Sequence, residues 1–230
     1  MNWRDIQREL AKRGFNPGRI DGLPGRNTRR AVEAFQRTMG LEVDGIVGSR
    51  TLGALFGPTS AKGRQVADLP WLAILNDKMG WHEVNHHKKL SDFLRLDGKT
   101  LGDPSKLPWC GDLVETCIAL ALPDEVIPGN PYLARNWAGF GRSTLPRYGA
   151  VGAFWRGSRD GTQGHVGFLI GQRRSDGAYR VRGGNQSNSI SDTWLAAGRL
   201  LEARMPATYP ALTRVLPLLD GAGALSVNEA

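Results

Sequence analysis

Apolar residues recur at helical spacing in three short stretches near the start of the chain. The spacing predicts helices over residues 3–13, 27–39 and about 49–56. Gly14 and Gly40 directly follow the first two stretches, as glycines that end helices do. The pattern therefore predicts a small, three-helix N-terminal domain.

Later in the chain, one apolar helical stretch is followed by several short runs typical of strands. A helix is predicted from about Asp112 until Pro123 ends it, and Cys110 stands where this helix begins. The strand-like runs cover residues 151–155, 164–170, 178–186 and about 199–205. Gly, Ser and Asp are frequent in the loops between them, as in hairpin connections. A helix followed by an antiparallel sheet predicts an α+β fold.

Composition divides the chain into segments. Residues 57–63 (GPTSAKG) are small and polar and are interrupted by Pro and Gly, which is typical of a linker. We therefore expect a domain over residues 1–57, a linker over 58–69, a second domain over 70–209 and a tail over 210–230. This second domain should begin with a helix that runs through Met79. The tail is apolar but broken by Pro and Gly, so we expect it to pack on the domain, and we assign it no function.

The chain has 230 residues and a formal net charge of +8, which favours an anionic partner. Its Lys and Arg residues are scattered, so a bacterial envelope is favoured over nucleic acid. No apolar run approaches the roughly 18 residues that span a bilayer, and we expect no stable membrane insertion. The charged start of the sequence predicts no secretory signal. We further expect a monomer.

Two turns between the predicted N-terminal helices repeat one pattern. Residues 21–28 and 44–51 both match D-G-x-x-G-x-x-T, with glycines in the turn and capping residues at the next helix start. A turn that only packs helices is one interpretation. Together with residues 6–10 (IQREL) and 31–36 (AVEAFQ), however, residues 3–56 resemble the peptidoglycan-binding domain of bacterial and phage wall hydrolases. This resemblance implies bacterial peptidoglycan as the partner.

Three residues of the second domain have the types and order found in thiol hydrolases. Cys110 at a helix start would experience the macrodipole and unpaired N–H groups, which favour a thiolate. His165 opens one predicted strand, and Asn185 ends the next, where its amide could orient the imidazole. Taken alone, each has a structural explanation: a core thiol, a structural histidine and a turn asparagine. Their order favours catalysis.

Residues 70–206 resemble the cysteine, histidine-dependent amidohydrolase/peptidase (CHAP-like) domains of phage endolysins, which belong to the papain-like group. The motifs that carry this resemblance are Trp109-Cys110, residues 164–168 (GHVGF), residues 183–187 (GGNQS) and residues 204–206 (RMP). The resemblance implies a papain-like domain with a catalytic helix packed on an antiparallel sheet. It also implies Cys110 as nucleophile, His165 as general base and acid, and Asn185 as the orienting residue. Gln186 is the alternative for this last role.

The residues after the cysteine depart from the family pattern. Gly111 and Asp112 stand where a small or hydroxyl residue followed by an apolar one is expected. The Asp112 carboxylate suits the first turn of a helix, but its charge would oppose thiolate formation. We expect Trp109, Asp112 and Gln186 to contact the substrate.

Residues 82–86 match the zinc-binding motif H-E-x-x-H. On a helix, His82 and His86 would face one zinc ion with Glu83 as general base, which defines a metallopeptidase. A glycine interrupts the preceding helix, and His165 is the only histidine outside this cluster that could serve as a third ligand. We therefore expect no metal and no cofactor, with a zinc metallopeptidase as the alternative.

The sequence thus predicts a peptidoglycan hydrolase that cleaves an amide bond of the cell wall by a Cys-His-Asn mechanism. Its N-terminal domain would hold it on the wall. The resemblance to endolysins implies accumulation in the host cytoplasm and release through a membrane pore. A second alternative is a catalytically inactive wall-binding protein, an interpretation that Asp112 keeps open. Muramoyl-alanine and stem-peptide bonds both remain candidates for the cleaved amide.

Overall fold

The structure is a computed structural model that describes residues 3–57, 69–210 and 214–226. The chain divides into two compact units, Met1–Asn76 with Leu120–Pro123, and Asp77–Ala119 with Asp124–Ala230. This division falls slightly later than the predicted domain start at residue 70. Nearly all of the predicted linker, residues 58–69, lies outside the described residues.

Within the described residues, the first unit contains four helices. They are α1 (Trp3–Lys12), α2 (Arg26–Thr38), α3 (Ser49–Phe56) and the short α4 (Pro70–Ala73). The first three lie within one residue of their predicted bounds. The buried apolar residues of these three helices form one core with Val47, which precedes α3: Trp3, Ile6, Leu10, Ala31, Val32, Phe35, Val47, Leu52 and Leu55. Because such short helices are marginal in isolation, burial of these apolar faces stabilises the unit.

A buried glutamine of α1 holds the first of the two repeated turns. The Gln7 side-chain amide donates to Asp21 Oδ1 at 3.1 Å and to Thr28 Oγ1 at 3.0 Å. Its Oε1 accepts the backbone N–H of Gly22 at 2.8 Å. The aspartate and threonine of the D-G-x-x-G-x-x-T pattern therefore bind one side chain from the preceding helix.

Gln36 of α2 holds the second turn in the same way. Its amide donates to Asp44 Oδ1 at 2.7 Å and to Thr51 Oγ1 at 3.2 Å, and its Oε1 accepts the Gly45 N–H at 2.8 Å. Each half of the unit thus consists of a helix, the turn that follows it, and a glutamine of the helix that hydrogen-bonds to the turn. Since these polar groups are buried, losing the glutamine would leave several of them unsatisfied.

The described helices of the second unit are α5 (His87–Phe93), α6 (Cys110–Ala121) and two 3₁₀ helices, Ala134–Gly139 and Ala197–Arg199. The helix predicted from Asp112 therefore begins two residues earlier, at Cys110. Most of α6 is buried, including Leu113, Val114, Cys117 and Ile118. The helix predicted to run through Met79 is shorter than expected: α4 ends at Ala73, and turns follow it.

A seven-stranded sheet forms most of the second unit within the described residues. Its strands are β1 (Arg142–Thr144), β2 (Val151–Trp155), β3 (Gly164–Arg173), β4 (Tyr179–Gln186), β5 (Ser189–Leu195), β6 (Leu200–Met205) and β7 (Leu218–Leu219). The strand order is β1-β6-β2-β3-β4-β5, with all these pairs antiparallel, while β7 pairs with β3 in parallel. The predicted α+β class is confirmed.

The sequence pattern located β2, β3, β4 and β6 but missed the other three strands. The missed β5 (SISDTWL) is largely polar, so a hydrophobic pattern detects it poorly. The strands β1 and β7 have only three and two residues. Tertiary pairing, rather than local sequence, decides whether such short segments form strands.

Part of the C-terminal tail packs against the sheet, as predicted. Leu218 and Leu219 of β7 pair with Gln172 and Arg173 of β3, and Leu216 is buried. Within the ranges that the structure describes, no helix has the length and apolar character needed to cross a membrane.

Candidate active site

Cys110 is the first residue of α6, where the carbonyl of Trp109 accepts the N–H of Leu113 at 3.0 Å. A side chain at Gly111 would overlap the backbone carbonyl of Pro131, which explains why glycine follows the cysteine here. The helix start and the close approach of residue 131 together fix the position of the thiol.

The thiol of Cys110 experiences opposing effects. Burial raises its pKa, whereas hydrogen bonding from the backbone amides of Val166 and Gly111 and the charge of Arg156 lower it. Burial has the largest effect, so the net shift is upward. The expectation that the helix start alone favours a thiolate is therefore corrected, because desolvation outweighs the N–H groups. A base must remove the proton for this thiol to act as a nucleophile.

The imidazole of His165 is fully buried in β3 and is held by Gln186. Its Nε2 lies 3.1 Å from Gln186 Oε1. The amide nitrogen of Gln186 donates to the carbonyls of Ser191 at 2.5 Å and Val181 at 3.3 Å, which fixes the side-chain orientation. Gln186 thus presents only an acceptor to the imidazole, and we assign the His165 proton to Nε2 from this network. This tautomer leaves Nδ1 as the basic nitrogen.

The sequence suggested that Asn185 orients the imidazole of His165, but the structure places Asn185 differently. It lines the neighbouring cleft, and its backbone is left-handed, with φ of 55°. The pairing of β4 with β5 shifts register between Gly183 and Gln186. A bulge of this kind re-aims successive side chains. The structure therefore places the amide of Gln186 on the imidazole and that of Asn185 at the cleft.

Two of the predicted substrate contacts are corrected by burial. Trp109 is 0% exposed, its indole N–H donates to Glu83 at 2.9 Å, and its ring packs on Gly184. Asp112 is 1% exposed, and its Oδ2 accepts from the Thr100 hydroxyl and the Leu101 N–H, both at 3.0 Å. Neither side chain offers a surface to a substrate.

Gln186, the third predicted substrate contact, is 2% exposed and binds His165 instead.

An open cleft of about 550 Å³ lies beside Cys110. Its walls come from the segment before α6, the turn before the first 3₁₀ helix, the β2–β3 loop and the β4–β5 turn. The lining residues are Glu83, Pro104, Ser105, Lys106, Leu107, Pro108, Cys110, Tyr132, Leu133, Ala134, Arg156, Thr162, Gln163, Gly164, Asn185 and Asn188.

The sequence analysis missed the contribution of the β2–β3 loop. Arg156, Thr162 and Gln163 of this loop face the cleft. Pairing the two predicted strands would have revealed it, because the loop must then lie beside His165 at the start of β3. The sequence of the loop by itself does not indicate that the loop lies at the site.

The H-E-x-x-H segment does not form a helical zinc motif. Residues 82–86 are a bridge and turns, and α5 begins only at His87. The Nδ1 atoms of His82 and His86 accept backbone N–H groups at 3.1 Å, and Glu83 accepts the indole N–H. In the described part of the chain, no three side chains of metal-ligating type are grouped to hold an ion.

Asp112 belongs to a buried group of acidic side chains near α6. Burial raises the pKa of Asp112 to about 6 and that of Glu115 to about 8. Asp97 raises the pKa of Glu115 further, whereas Lys99, whose Nζ lies 3.9 Å from Glu115, lowers it. Both carboxyls keep their protons in the folded chain at pH values where the unfolded chain has lost them.

We expect the second unit to lose stability as pH rises from about 4 to about 8. Because both folded pKa values exceed the unfolded values of about 4, this contribution to stability is complete below pH 4. It is lost as pH rises through the folded values of about 6 and about 8. Glu115→Gln should raise the free energy of unfolding by about 1–3 kcal/mol at pH 8 and change it little at pH 4. Thermal unfolding at both pH values measures this.

Glu202→Gln is the matched control, since it removes the same charge from a half-buried position on β6. Its effect should be the same at both pH values. A melting temperature for Glu115→Gln below that of the wild type at pH 8 would contradict the expected cost of the buried charge.

Comparison with known proteins identifies the N-terminal domain. A family model described as a peptidoglycan binding domain matches residues 2–55. Comparisons with curated proteins and with solved structures gave no match. This match supports a peptidoglycan-binding domain over residues 2–55, with peptidoglycan as a partner, and suggests association with the cell wall.

Proposed function

We propose that the chain is a cysteine-dependent hydrolase of peptidoglycan amide bonds, with a CHAP-like, papain-like second domain. One arrangement carries the proposal. The Cys110 thiol lies at a cleft and meets the backbone N–H of Val166, the residue that follows His165. The imidazole of His165 is in turn oriented by Gln186. A nucleophile, a base and an orienting amide are the parts of a thiol hydrolase.

In the first step, His165 Nδ1 takes the proton of the Cys110 thiol while the sulfur attacks the carbonyl carbon of the amide. Backbone N–H groups at the start of α6 support this mechanism, because they can stabilise the negative oxygen of the tetrahedral intermediate. The imidazolium then gives its proton to the leaving nitrogen, the C–N bond breaks, and a thioester remains on Cys110.

In the second step, His165 takes a proton from water, and the resulting hydroxide attacks the thioester. The C–S bond breaks, and the carboxylic acid product leaves. The sulfur recovers the proton from His165. Gln186 keeps the imidazole in place throughout by accepting its Nε2–H. This assignment exchanges the roles that the sequence suggested for Asn185 and Gln186.

The N-terminal domain would raise the effective concentration of the second domain at its polymeric substrate. The net charge of +8 would assist adsorption to an anionic wall. By resemblance to endolysins, we extend the proposal to a phage lysin that reaches the wall through a membrane pore.

The position of Asp112 favours an active hydrolase over a catalytically inactive wall-binding protein. Its Oδ2 accepts from the Thr100 hydroxyl and the Leu101 N–H, and its charge is not among the main effects on the pKa of the Cys110 thiol. The concern that Asp112 opposes thiolate formation therefore weakens. The turn geometry of residues 82–86 argues against the zinc alternative.

Digestion of purified sacculi tests the proposal. The wild-type chain should release fragments whose masses show one added water and a new amino terminus at a single kind of amide bond. Mass spectrometry of the fragments identifies whether this bond is muramoyl-alanine or lies within the stem peptide. Digestion should continue in the presence of a metal chelator. New reducing sugar ends, or intact sacculi, would refute the proposed chemistry.

A further inference from the structure

Arg156 is a cation at the wall of the cleft. No described carboxylate lies within ion-pairing distance of its guanidinium, although the residue lines the same cleft as Cys110. The other charges of the lining are already engaged: Lys106 lies 3.5 Å from Asp103, and Glu83 accepts an indole N–H. Among the described residues that line the cleft, Arg156 is thus a positive charge without a carboxylate partner.

The backbone around Arg156 is held firmly. Its N–H donates to the carbonyl of Gln163 at 3.1 Å, which closes the β2–β3 loop. Arg135 donates to three carbonyls of the same loop, those of Ser158, Arg159 and Gln163, at 2.7–2.8 Å. Because the loop is fixed, the guanidinium is presented from a defined anchor rather than from a flexible segment.

The sheet register places Arg156 beside the candidate catalytic pair. Phe154 of β2 is paired with His165 of β3, so their side chains share one face of the sheet. Arg156 directly follows β2, and its N–H donates to the carbonyl of Gln163, the residue before β3. Arg156 and Cys110 line the same cleft, and the positive charge of Arg156 lowers the pKa of the Cys110 thiol.

We infer that the substrate of this cleft is a peptide with a free carboxylate next to the scissile amide, and that Arg156 binds this carboxylate. The inference rests on the proposed function. A guanidinium can bind a carboxylate through two parallel N–H···O bonds, which fixes orientation as well as charge. Arg156 would then select acidic stem peptides over stem peptides whose carboxylate has been converted to an amide.

Two soluble muropeptides with the same sequence test this selection, one with free stem-peptide carboxylates and one with carboxamides in their place. The wild type should cleave the carboxylate form with a kcat/KM about tenfold or more higher, mainly through KM. Arg156→Gln should reduce this ratio to within about threefold. Equal cleavage of both forms by the wild type, or an unchanged ratio in Arg156→Gln, would overturn the inference.

Arg159→Gln is the matched control, because it removes the same charge from the same loop at an exposed position outside the cleft lining. It should keep the wild-type ratio. Loss of the ratio in this variant would assign the selection to net charge and overturn the role of Arg156.

A binding measurement separates the inference from the proposed function. Calorimetry compares both muropeptides on Cys110→Ala and on Cys110→Ala/Arg156→Gln, which need no turnover. The single variant should prefer the carboxylate form about tenfold, and the double variant should lose this preference. Absence of cleavage by the wild type alone refutes the hydrolase, whereas equal binding of both forms by the single variant refutes the carboxylate site.

Discussion

Replacing Cys110 with alanine should lower the rate of sacculus digestion by at least about a thousandfold. The variant loses the only atom in the cleft that we assign as nucleophile, while His165 and Gln186 keep their hydrogen bond. Since Cys110 is 4% exposed and its side chain is small, the fold should survive the change. Release of new amino groups from sacculi, measured per mole of folded protein, gives the rate.

Cys117→Ala provides the matched control on the same helix. Cys117 is fully buried, and burial raises the pKa of its thiol, so it stays protonated. This variant should lose about 1 kcal/mol of stability and keep a digestion rate close to that of the wild type. Digestion that survives Cys110→Ala, or that disappears in Cys117→Ala without unfolding, would exclude Cys110 as the nucleophile.

Replacing Gln186 with leucine should lower kcat by about a hundredfold with a smaller effect on KM. Leucine cannot accept the Nε2–H of His165, so the imidazole loses the partner that fixes its tautomer and orientation. Stability must be measured alongside, because the Gln186 amide also binds the carbonyl of Ser191. Steady-state kinetics and NMR of the imidazole nitrogens report the two effects.

Gln186→Glu and Asn185→Gly distinguish positioning from simple packing. A carboxylate at position 186 favours the protonated imidazole, so the acid limb of the pH–rate profile should move to higher pH. Glycine at position 185 suits the φ of 55° and removes only the side chain at the cleft. It should change KM and leave the pH profile in place. The reverse result would make Asn185 the orienting residue.

Local sequence predicted most of the secondary structure that positions the site. The apolar spacing after Cys110 gave a helix that the structure starts at Cys110 itself, and the runs around residues 151–155 and 164–170 gave β2 and β3. These signals are strong because the segments are apolar and continuous. The polar β5 and the two shortest strands carried no such signal, since they form only where a neighbouring strand offers its hydrogen bonds.

The sequence by itself predicted the peptidoglycan-binding domain, which the family model supports, and the thiol and the imidazole of the candidate site. The two D-G-x-x-G-x-x-T turns are local patterns, and each is completed by a glutamine in the adjoining helix. Likewise, Cys110 and His165 were distinctive because few residue types can act as a nucleophile or a base near neutral pH. Such features follow from residue type and short-range spacing.

Only the tertiary structure decided which side chains complete the site. A register shift in the β4–β5 pairing turned Gln186 toward His165 and Asn185 toward the cleft. Burial removed Trp109 from substrate contact and raised the pKa of the Cys110 thiol. The β2–β3 pairing brought Arg156 to the cleft wall. Strand register and desolvation depend on elements distant in sequence, and therefore no local pattern records them.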